Sequence, residues 1–511
     1  MAKANLDALI PREDFAVDGG APPQSLSDKV KATDLVKGEG FFYSSLRKPD
    51  FQRETADWDG KKVSAFVKSF IDGDLIPSII LWQAGQFTFV IDGAHRLSAL
   101  ISWVNDDYGD GFISQAFFGH AVDNEQKKVA DQTARLVKKE VGSYQDYIAA
   151  IKNPDQADPA LLANANKLGF LSLQLQWVTG TAKKAEDSFF TINQKATPIS
   201  DTEISLLKAR KKPYAMASRA IIRSGSGHRY WKGSDESTGI QIENLAKEIN
   251  MNLFSPEMKT PIKTLDLPLA GKGYSSRSLP LVFELVRMAN DVESKTVEED
   301  ATGHGTLQYL KNTNNVLRRF TTQHPSSLGL HPAIYFYSEK GRYQPTAFMA
   351  WVEIVKEMES DKSFSDFIRV RDAYEQALIR FKNLTNQATV KHGSGSKGYK
   401  QLAEIYRKIL VCVREGVAVD DIGKALKNEF PYLNLEFSGD AVTNVSFSAG
   451  TKSQAFLSEA LASAPRCNIC RGFIHVNSLS IDHIERKADG GSGDPSNAQL
   501  AHPYCNSTYK N

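Results

Sequence analysis

Four residues near the end of this chain constrain its fold more than any others: Cys467 and Cys470 in Cys467-Asn468-Ile469-Cys470, and His502 and Cys505 in His502-Pro503-Tyr504-Cys505. Two residues separate the members of each pair, a spacing that lets both side chains reach one ion from a tight turn. Two such pairs complete the closed tetrahedral shell of structural zinc. A single Cys-x-x-Cys would stay open between zinc and redox chemistry, and the second pair favours zinc. Of four cysteines, three crowd into this tail. A secreted disulfide scaffold would instead spread an even number along a short chain. The fourth, Cys412, sits in the apolar run Ile409-Leu410-Val411-Cys412-Val413 and reads as a small buried hydrophobe.

Between the two pairs lie Ser480-Ile481-Asp482-His483-Ile484, then Gly490-Gly491, then Asn497, and Asn506 follows Cys505 directly. This order resembles the HNH, or ββα-metal, endonucleases, in which an Asp-His pair ends a strand, an Asn follows a glycine-containing loop, and a Cys-Asn segment lies on the closing helix. The resemblance covers residues 466–511. His502 stands where the four-cysteine version has a cysteine, and Asn506 where some members carry a final His. Hydrolysis of a phosphodiester needs an attacking water, a cation for the charge that builds on phosphorus, and stabilisation of the departing oxygen. His483 can take a proton from water at neutral pH and is the candidate general base. Asp482 and the side-chain oxygen of Asn506 are hard ligands suited to Mg²⁺ or Mn²⁺. The family pattern gives Asn497 the task of orienting the His483 loop. Lys510, four residues past Asn506, shares its helical face and is read either as a phosphate contact or as a solvated terminal lysine. The competing reading of the whole tail is a zinc ribbon that only binds DNA. Such a ribbon has no need of Asp482, His483 and Asn506 together.

A second set of motifs lies far upstream. Lys48-Pro49-Asp50-Phe51-Gln52-Arg53 leads through Trp58 to Asp72-Gly73-Asp74-Leu75-Ile76-Pro77, and Val90-Ile91-Asp92-Gly93-Ala94-His95-Arg96-Leu97 follows. Asp92-Gly93 stands between a β-like run and a helical pattern, and taken alone is an ordinary tight turn. The set resembles the ParB-like N-terminal domains of GmrSD-type restriction enzymes and of SspE-type phage-defence proteins, marked by a D-G-Q-Q-R-L turn after a QR…W segment. Phe190-Thr191-Ile192-Asn193-Gln194-Lys195 resembles the F-x-x-I-N element of the same family, so the likeness spans about residues 41–210. Ala94-His95 replaces the two glutamines. The resemblance implies a nucleoside-triphosphate site built from Gln52, Arg53, Asp92, Gly93, His95, Arg96 and Asn193. A helix start offers N–H groups to phosphate, Arg96 and Arg53 offer charge-assisted bonds, and Asp92 can hold a metal or polarise water. Gln52 and Trp58 can also be read as purely structural. The common G-x-x-x-x-G-K-[ST] phosphate loop is absent from the sequence.

At 511 residues the chain has room for about three domains. Apolar residues make up 41% and charged residues 24%, the balance of a globular protein rather than a disordered one. Lys and Arg exceed Asp and Glu by only two, so DNA contact must come from local patches. No apolar run approaches the ~20 residues of a membrane span, and Met1–Ala8 lacks a signal-peptide core. The expectation is a cytoplasmic protein with no membrane partner. Val63, Phe66, Val67, Phe70 and Ile71 fall at helical spacing with Gly73 placed to end the helix. Ser78–Trp82 and Gln86–Ile91 read as a hairpin or neighbouring strands around Gln83-Ala84-Gly85. Ser200-Asp201-Thr202-Glu203 has capping-box spacing, and Leu281–Met288 and Phe348–Met358 read as helices.

The expected architecture is an α+β multidomain chain: a lead-in over 1–40, a ParB-like α/β domain over 41–210, a helical middle domain over 211–390, a linker and helical/β connector over 391–450, and a ββα-metal HNH domain with structural zinc over 451–511. Lys391–Gly398 has linker composition, though a surface loop within a domain reads the same way. The function these readings imply is a phage-defence DNA endonuclease whose NTP-binding or NTP-hydrolysing domain regulates cleavage, with DNA modification as a candidate signal. The alternatives are a mobile-element HNH nuclease and a catalytically silent reader of modified DNA. Association into a homo-oligomer stays open.

Overall fold

A computed structural model of the chain describes residues 3–15, 26–50, 58–118, 122–196, 201–273, 278–435 and 446–510. It divides into two compact units, Met1–Arg210 with Ser226–Tyr230, and Lys211–Gly225 with Trp231–Asn511.

The first unit is built on a six-stranded sheet. Its strands are β1 (Arg12–Glu13), β2 (Lys29–Val30), β3 (Leu46–Pro49), β4 (Ile79–Ala84), β5 (Phe87–Asp92) and β6 (Leu173–Val178), in the order β1-β3-β5-β4-β6-β2. β1, β3 and β5 run parallel, β4 returns antiparallel to β5, and β6 lies parallel to β4. The β4–β5 hairpin is the expected one, with its turn one residue later, at Gly85-Gln86. The helix Gly60–Asp72 also forms where its spacing predicts. Asp59 caps it by accepting from the Lys62 N–H at 3.0 Å, Gly73 ends it, and Val63, Val67, Phe70 and Ile71 are buried. The helix Ala94–Asn105 buries Leu97, Leu100, Ile101 and Val104 in the same core.

Residues 1–40, expected as a loose lead-in, belong to this core wherever they are described. Leu6, Leu9, Ile10, Val30 and Leu35 are fully buried, and β1 and β2 form the two sheet edges. Asp7 accepts from Arg12 at 2.8 Å and from Lys48 at 2.6 Å, a buried ion cluster that fastens the segment to β3. Two-residue strands and single 3₁₀ turns are too short to show a period, so the sequence carried no sign of this packing.

The second unit is mainly helical. The helix Pro213–Ile222 packs on Glu236–Phe254, Ser278–Ala289 and His304–Leu317, and Pro345–Ser360 packs on Tyr399–Arg414. Leu281–Met288 and Phe348–Met358 fall inside two of these. Residues 391–398 join the helices Leu384–His392 and Tyr399–Arg414 within this unit, and Tyr399–Arg414 buries Leu402, Ile405, Ile409 and Cys412. The linker-like composition thus belongs to a loop between packed helices. The helix Asp201–Lys208 of the first unit forms where expected, and Ser200, the expected cap, lies outside the described residues. The second unit also holds a two-stranded sheet of β7 (Ser480–His483) and β8 (Ala498–Ala501). Among the described residues no helix is long and apolar enough to cross a membrane.

Candidate active site

The knuckle Cys467–Gly472 closes by two backbone bonds, Cys467 N–H to the Gly472 carbonyl and Arg471 N–H to that of Cys467, both 2.9 Å. The turn Ala501–Cys505 brings His502 and Cys505 against it. The Sγ atoms of Cys467, Cys470 and Cys505 and a ring nitrogen of His502 all lie within 4.8 Å of one another, and all four residues are buried. Tetrahedral Zn–S bonds of about 2.3 Å separate ligand atoms by about 3.8 Å, so the four need draw in only slightly around one ion. His502 Nδ1 faces Cys470 Sγ at 3.3 Å. Its Nε2 lies 3.0 Å from the Phe473 carbonyl, where an Nε2–H donates and so leaves the Nδ1 lone pair for a metal. Hydrogen bonds from Cys470 and Cys505 hold the Cys467 thiol well below the ordinary thiol range, and its contact with Cys467 pushes Cys505 up. Crowded thiols cannot all ionise without a cation among them, which is the chemistry of a structural zinc site.

The Cys₃His cluster is tied to the helical part of the same unit through a pair that sequence reading missed. Arg371, on the helix Phe364–Arg380, is wholly buried. It pairs with Glu375 at 2.8 Å, donates to the carbonyls of Leu328 and of Gly329 (2.7 Å), and lies 3.3 Å from His502 Nδ1. Glu375 accepts in turn from the Tyr335 hydroxyl at 2.9 Å and from the Phe473 N–H at 2.8 Å. A side chain at Gly472 would run into the Arg371 guanidinium. The available signal was a charged i, i+4 pair on a helix whose neighbours Phe367, Ile368, Tyr374 and Leu378 are apolar.

β7 and β8 pair antiparallel, with Asp482 opposite Gln499 and His483 opposite Ala498. Asp482 is 7% exposed and His483, ending the strand, is half-buried. Asp482 Oδ2 accepts from Gln499 Nε2 at 2.7 Å and from Lys510 Nζ at 2.8 Å. Lys510 also donates to the carbonyls of His483 and Ile484. Its ammonium therefore faces β7 rather than solvent. Gln499 was also missed; strand pairing opposite Asp482 was the cue. Asn506 Nδ2 donates to Ser480 Oγ at 2.7 Å and to the Ile481 carbonyl at 3.3 Å, laying the last turn, Cys505–Tyr509, along β7. Asn497 accepts from the Glu485 N–H at 2.7 Å and donates to the carbonyls of Glu485 and Ser492, closing the loop that follows His483. An imidazole and a carboxylate thus stand side by side at the end of β7, with a side-chain amide in the turn bonded to that strand, in the same domain as the Cys₃His cluster.

Comparison with protein families meets this geometry at both ends of the chain. Residues 467–511 match the HNH endonuclease model, and residues 33–210 match that of the GmrSD restriction endonuclease, N-terminal domain. The chain joins a GmrSD-type N-terminal domain to an HNH domain. The pair supports a restriction-like nuclease. Searches of curated proteins and of solved structures find no match.

In the GmrSD-type domain, Asp92 ends β5 and Gly93 takes a left-handed φ of +92°, so that the helix Ala94–Asn105 begins at once. A Cβ there would sit 2.6 Å from Ile79 Cδ1 and push it aside, and the left-handed φ strains any residue with a side chain. Arg96 donates to Asp92 at 2.5 Å and to the Pro77 carbonyl at 2.8 Å. His95 stacks on Trp58, with ring centroids 5.8 Å apart at 25°. Asn193 lies on the helix Ala182–Ala196, which packs against β5. Gln52 and Arg53 lie outside the described residues.

The knuckle yields a direct prediction. Few side chains of the HNH domain are buried apart from the ligands, chiefly Phe473, Ile474, Ala501 and Tyr504, so the metal supplies folding energy outright. Cys470→Ser is expected to lose about one zinc per chain and to open residues 466–511 to hydrogen exchange. Metal analysis checks it, and a wild-type protein without tightly bound zinc rules out the Cys₃His site.

Proposed function

We propose that the chain is a metal-dependent DNA endonuclease of phage defence, in which nucleotide binding by the GmrSD-type domain controls cleavage by the HNH domain. The observation that supports the nuclease reading is that Asp482 and His483 end β7 while Asn506, in the turn beside it, is bonded to Ser480 and the Ile481 carbonyl of that strand. Asp482 and the amide oxygen of Asn506 are hard donors that fit Mg²⁺ or Mn²⁺, and that cation, when bound, neutralises charge building on the phosphoryl oxygens. His483 takes the proton of the attacking water. Asn497 keeps the following loop closed and so fixes where the imidazole can stand. Zinc on Cys467, Cys470, His502 and Cys505 holds the frame without taking part in the reaction.

The nucleotide reading rests on topology. The parallel strands β3 and β5 end on the same side of the sheet, and ligands of such sheets collect beyond their carboxyl ends. Asp92 and Gly93 stand at that edge, where β3 also ends at Pro49. A phosphate at this turn draws Arg96 away from Asp92, so ligand binding changes a partly exposed ion pair. The expected result is that Asp92→Ala and Arg96→Ala leave metal-dependent cleavage competence in place but alter nucleotide binding or hydrolysis and its response to DNA, a coupling that must be reciprocal. Identical nucleotide behaviour in wild type and both variants makes the turn purely structural. The test of the whole reading is cleavage of modified and unmodified phage DNA by the full chain with Mg²⁺ or Mn²⁺, with and without each NTP. A rate that no nucleotide and no modification changes removes the regulatory half.

A further inference from the structure

Lys510 is bound in a way that no DNA contact explains. Its side chain is only 21% exposed and its ammonium lies 2.8 Å from Oδ2 of Asp482, itself 9% exposed at the side chain. The two neighbouring bonds, to the carbonyls of His483 and Ile484, complete a cage of oxygen atoms around the nitrogen. Carboxylate and carbonyl oxygens are the donors a hard divalent cation takes, and here they surround a monovalent one. Gln499 occupies the same carboxylate oxygen at 2.7 Å, whereas no donor among the described residues reaches Oδ1.

We propose that Lys510 is a tethered cation that competes electrostatically with the divalent metal for the Asp482 carboxylate. The inference deepens the nuclease reading and rests on Asp482 being a metal ligand. An ammonium in contact with a low-exposure carboxylate cancels much of the charge that attracts a second cation, since unit charges a few ångströms apart interact far more strongly at such a site than in water. Oδ1 is left to the metal, but at a carboxylate already neutralised from its other side. Lys510 thereby raises the divalent concentration at which the site fills, and a DNA phosphate that draws the ammonium off restores the full charge of Asp482 as substrate arrives.

The measurement is Mn²⁺ binding to the full, zinc-loaded chain, without DNA, by electron paramagnetic resonance and calorimetry. Lys510→Met is expected to bind Mn²⁺ about tenfold more tightly than wild type, and Lys510→Arg to match wild type. Asp482→Asn should lose this site. Should Lys510→Met lose zinc or melt early, Lys510→Gln takes its place, since its amide keeps the bonds to the carbonyls and drops the charge. Unchanged or weaker Mn²⁺ binding in the neutral variant, with Asp482→Asn abolishing the site, overturns the competition and leaves Lys510 as a strut between the last turn and β7. Wild-type binding by Asp482→Asn overturns instead the assignment of Asp482 on which the proposal stands.

Discussion

Replacing His483 by alanine is expected to abolish DNA cleavage while zinc content, thermal melting and DNA affinity stay near those of wild type. A general base acts only in the chemical step, and its loss costs about 10²–10⁴-fold or more. The local structure explains why the rest of the protein should not respond. His483 is the last residue of β7 and its pairing with Ala498 is made by the backbone. The loop beyond it is held by Asn497 and its backbone carbonyl by Lys510. Alanine keeps all of these bonds. Nicking at the wild-type rate by the purified variant would remove His483 from the reaction and with it the assignment of the site.

The second large effect lies outside the nuclease motif. Arg371→Ala is expected to destabilise the second unit by about 3–5 kcal/mol, the usual consequence of breaking a buried pair from one side. Truncation strands the Glu375 carboxylate in the interior and leaves the carbonyls of Leu328 and Gly329 without their donor. Glu375 also holds the Phe473 N–H, and the Phe473 carbonyl orients His502. Zinc should therefore leave the variant faster under chelator challenge than it leaves the wild type. Arg371→Met combined with Glu375→Leu should recover part of the stability, because removing both charges eliminates the uncompensated one. Melting curves and the rate of zinc release read both effects; an Arg371→Ala protein with wild-type melting and zinc retention would show that the pair carries no load. This linkage also bears on how the HNH domain behaves when excised. Its turn is bonded to the loop after the helix His304–Leu317 through the Tyr504 N–H to the Ser327 carbonyl and Ser507 Oγ to the Pro325 carbonyl, so the domain borrows part of its frame from the helical region.

What could be read from the sequence follows the range of the interactions involved. The helix Gly60–Asp72, the β4–β5 hairpin and the Asp92-Gly93 turn are decided by spacing and by neighbours a few residues away, and they form where that spacing points. The clustering of Cys467, Cys470, His502 and Cys505 was legible across more than thirty positions only because metal geometry dictates residue types and intervals within each pair. The buried lead-in was illegible, since Leu6, Leu9 and Ile10 sit in turns with no period and their burial depends on a sheet edge supplied by β3. An arginine at a helix start can serve a ligand or the preceding strand end, and the contacts of Arg96 with Asp92 and the Pro77 carbonyl could not be read from its position. Lys510 likewise shares its face with Asn506 as the spacing implied. Its actual partner, Asp482, lies twenty-eight positions away. The Arg371–Glu375 pair shows the same limit, as a local i, i+4 signal whose meaning comes from carbonyls and a zinc knuckle contributed by distant segments.

Incubation of the intact, zinc-loaded protein with supercoiled phage DNA in Mg²⁺ or Mn²⁺, beside the same mixture in EDTA, tests the central claim most directly. The predicted result is nicked or linear DNA that appears with the divalent cation and not with EDTA, and that is absent when Asp482 or His483 is replaced. DNA that stays supercoiled with either cation, under every nucleotide and with every modification of the substrate, while the protein still binds it, would contradict the nuclease and leave a reader of DNA built on an HNH frame.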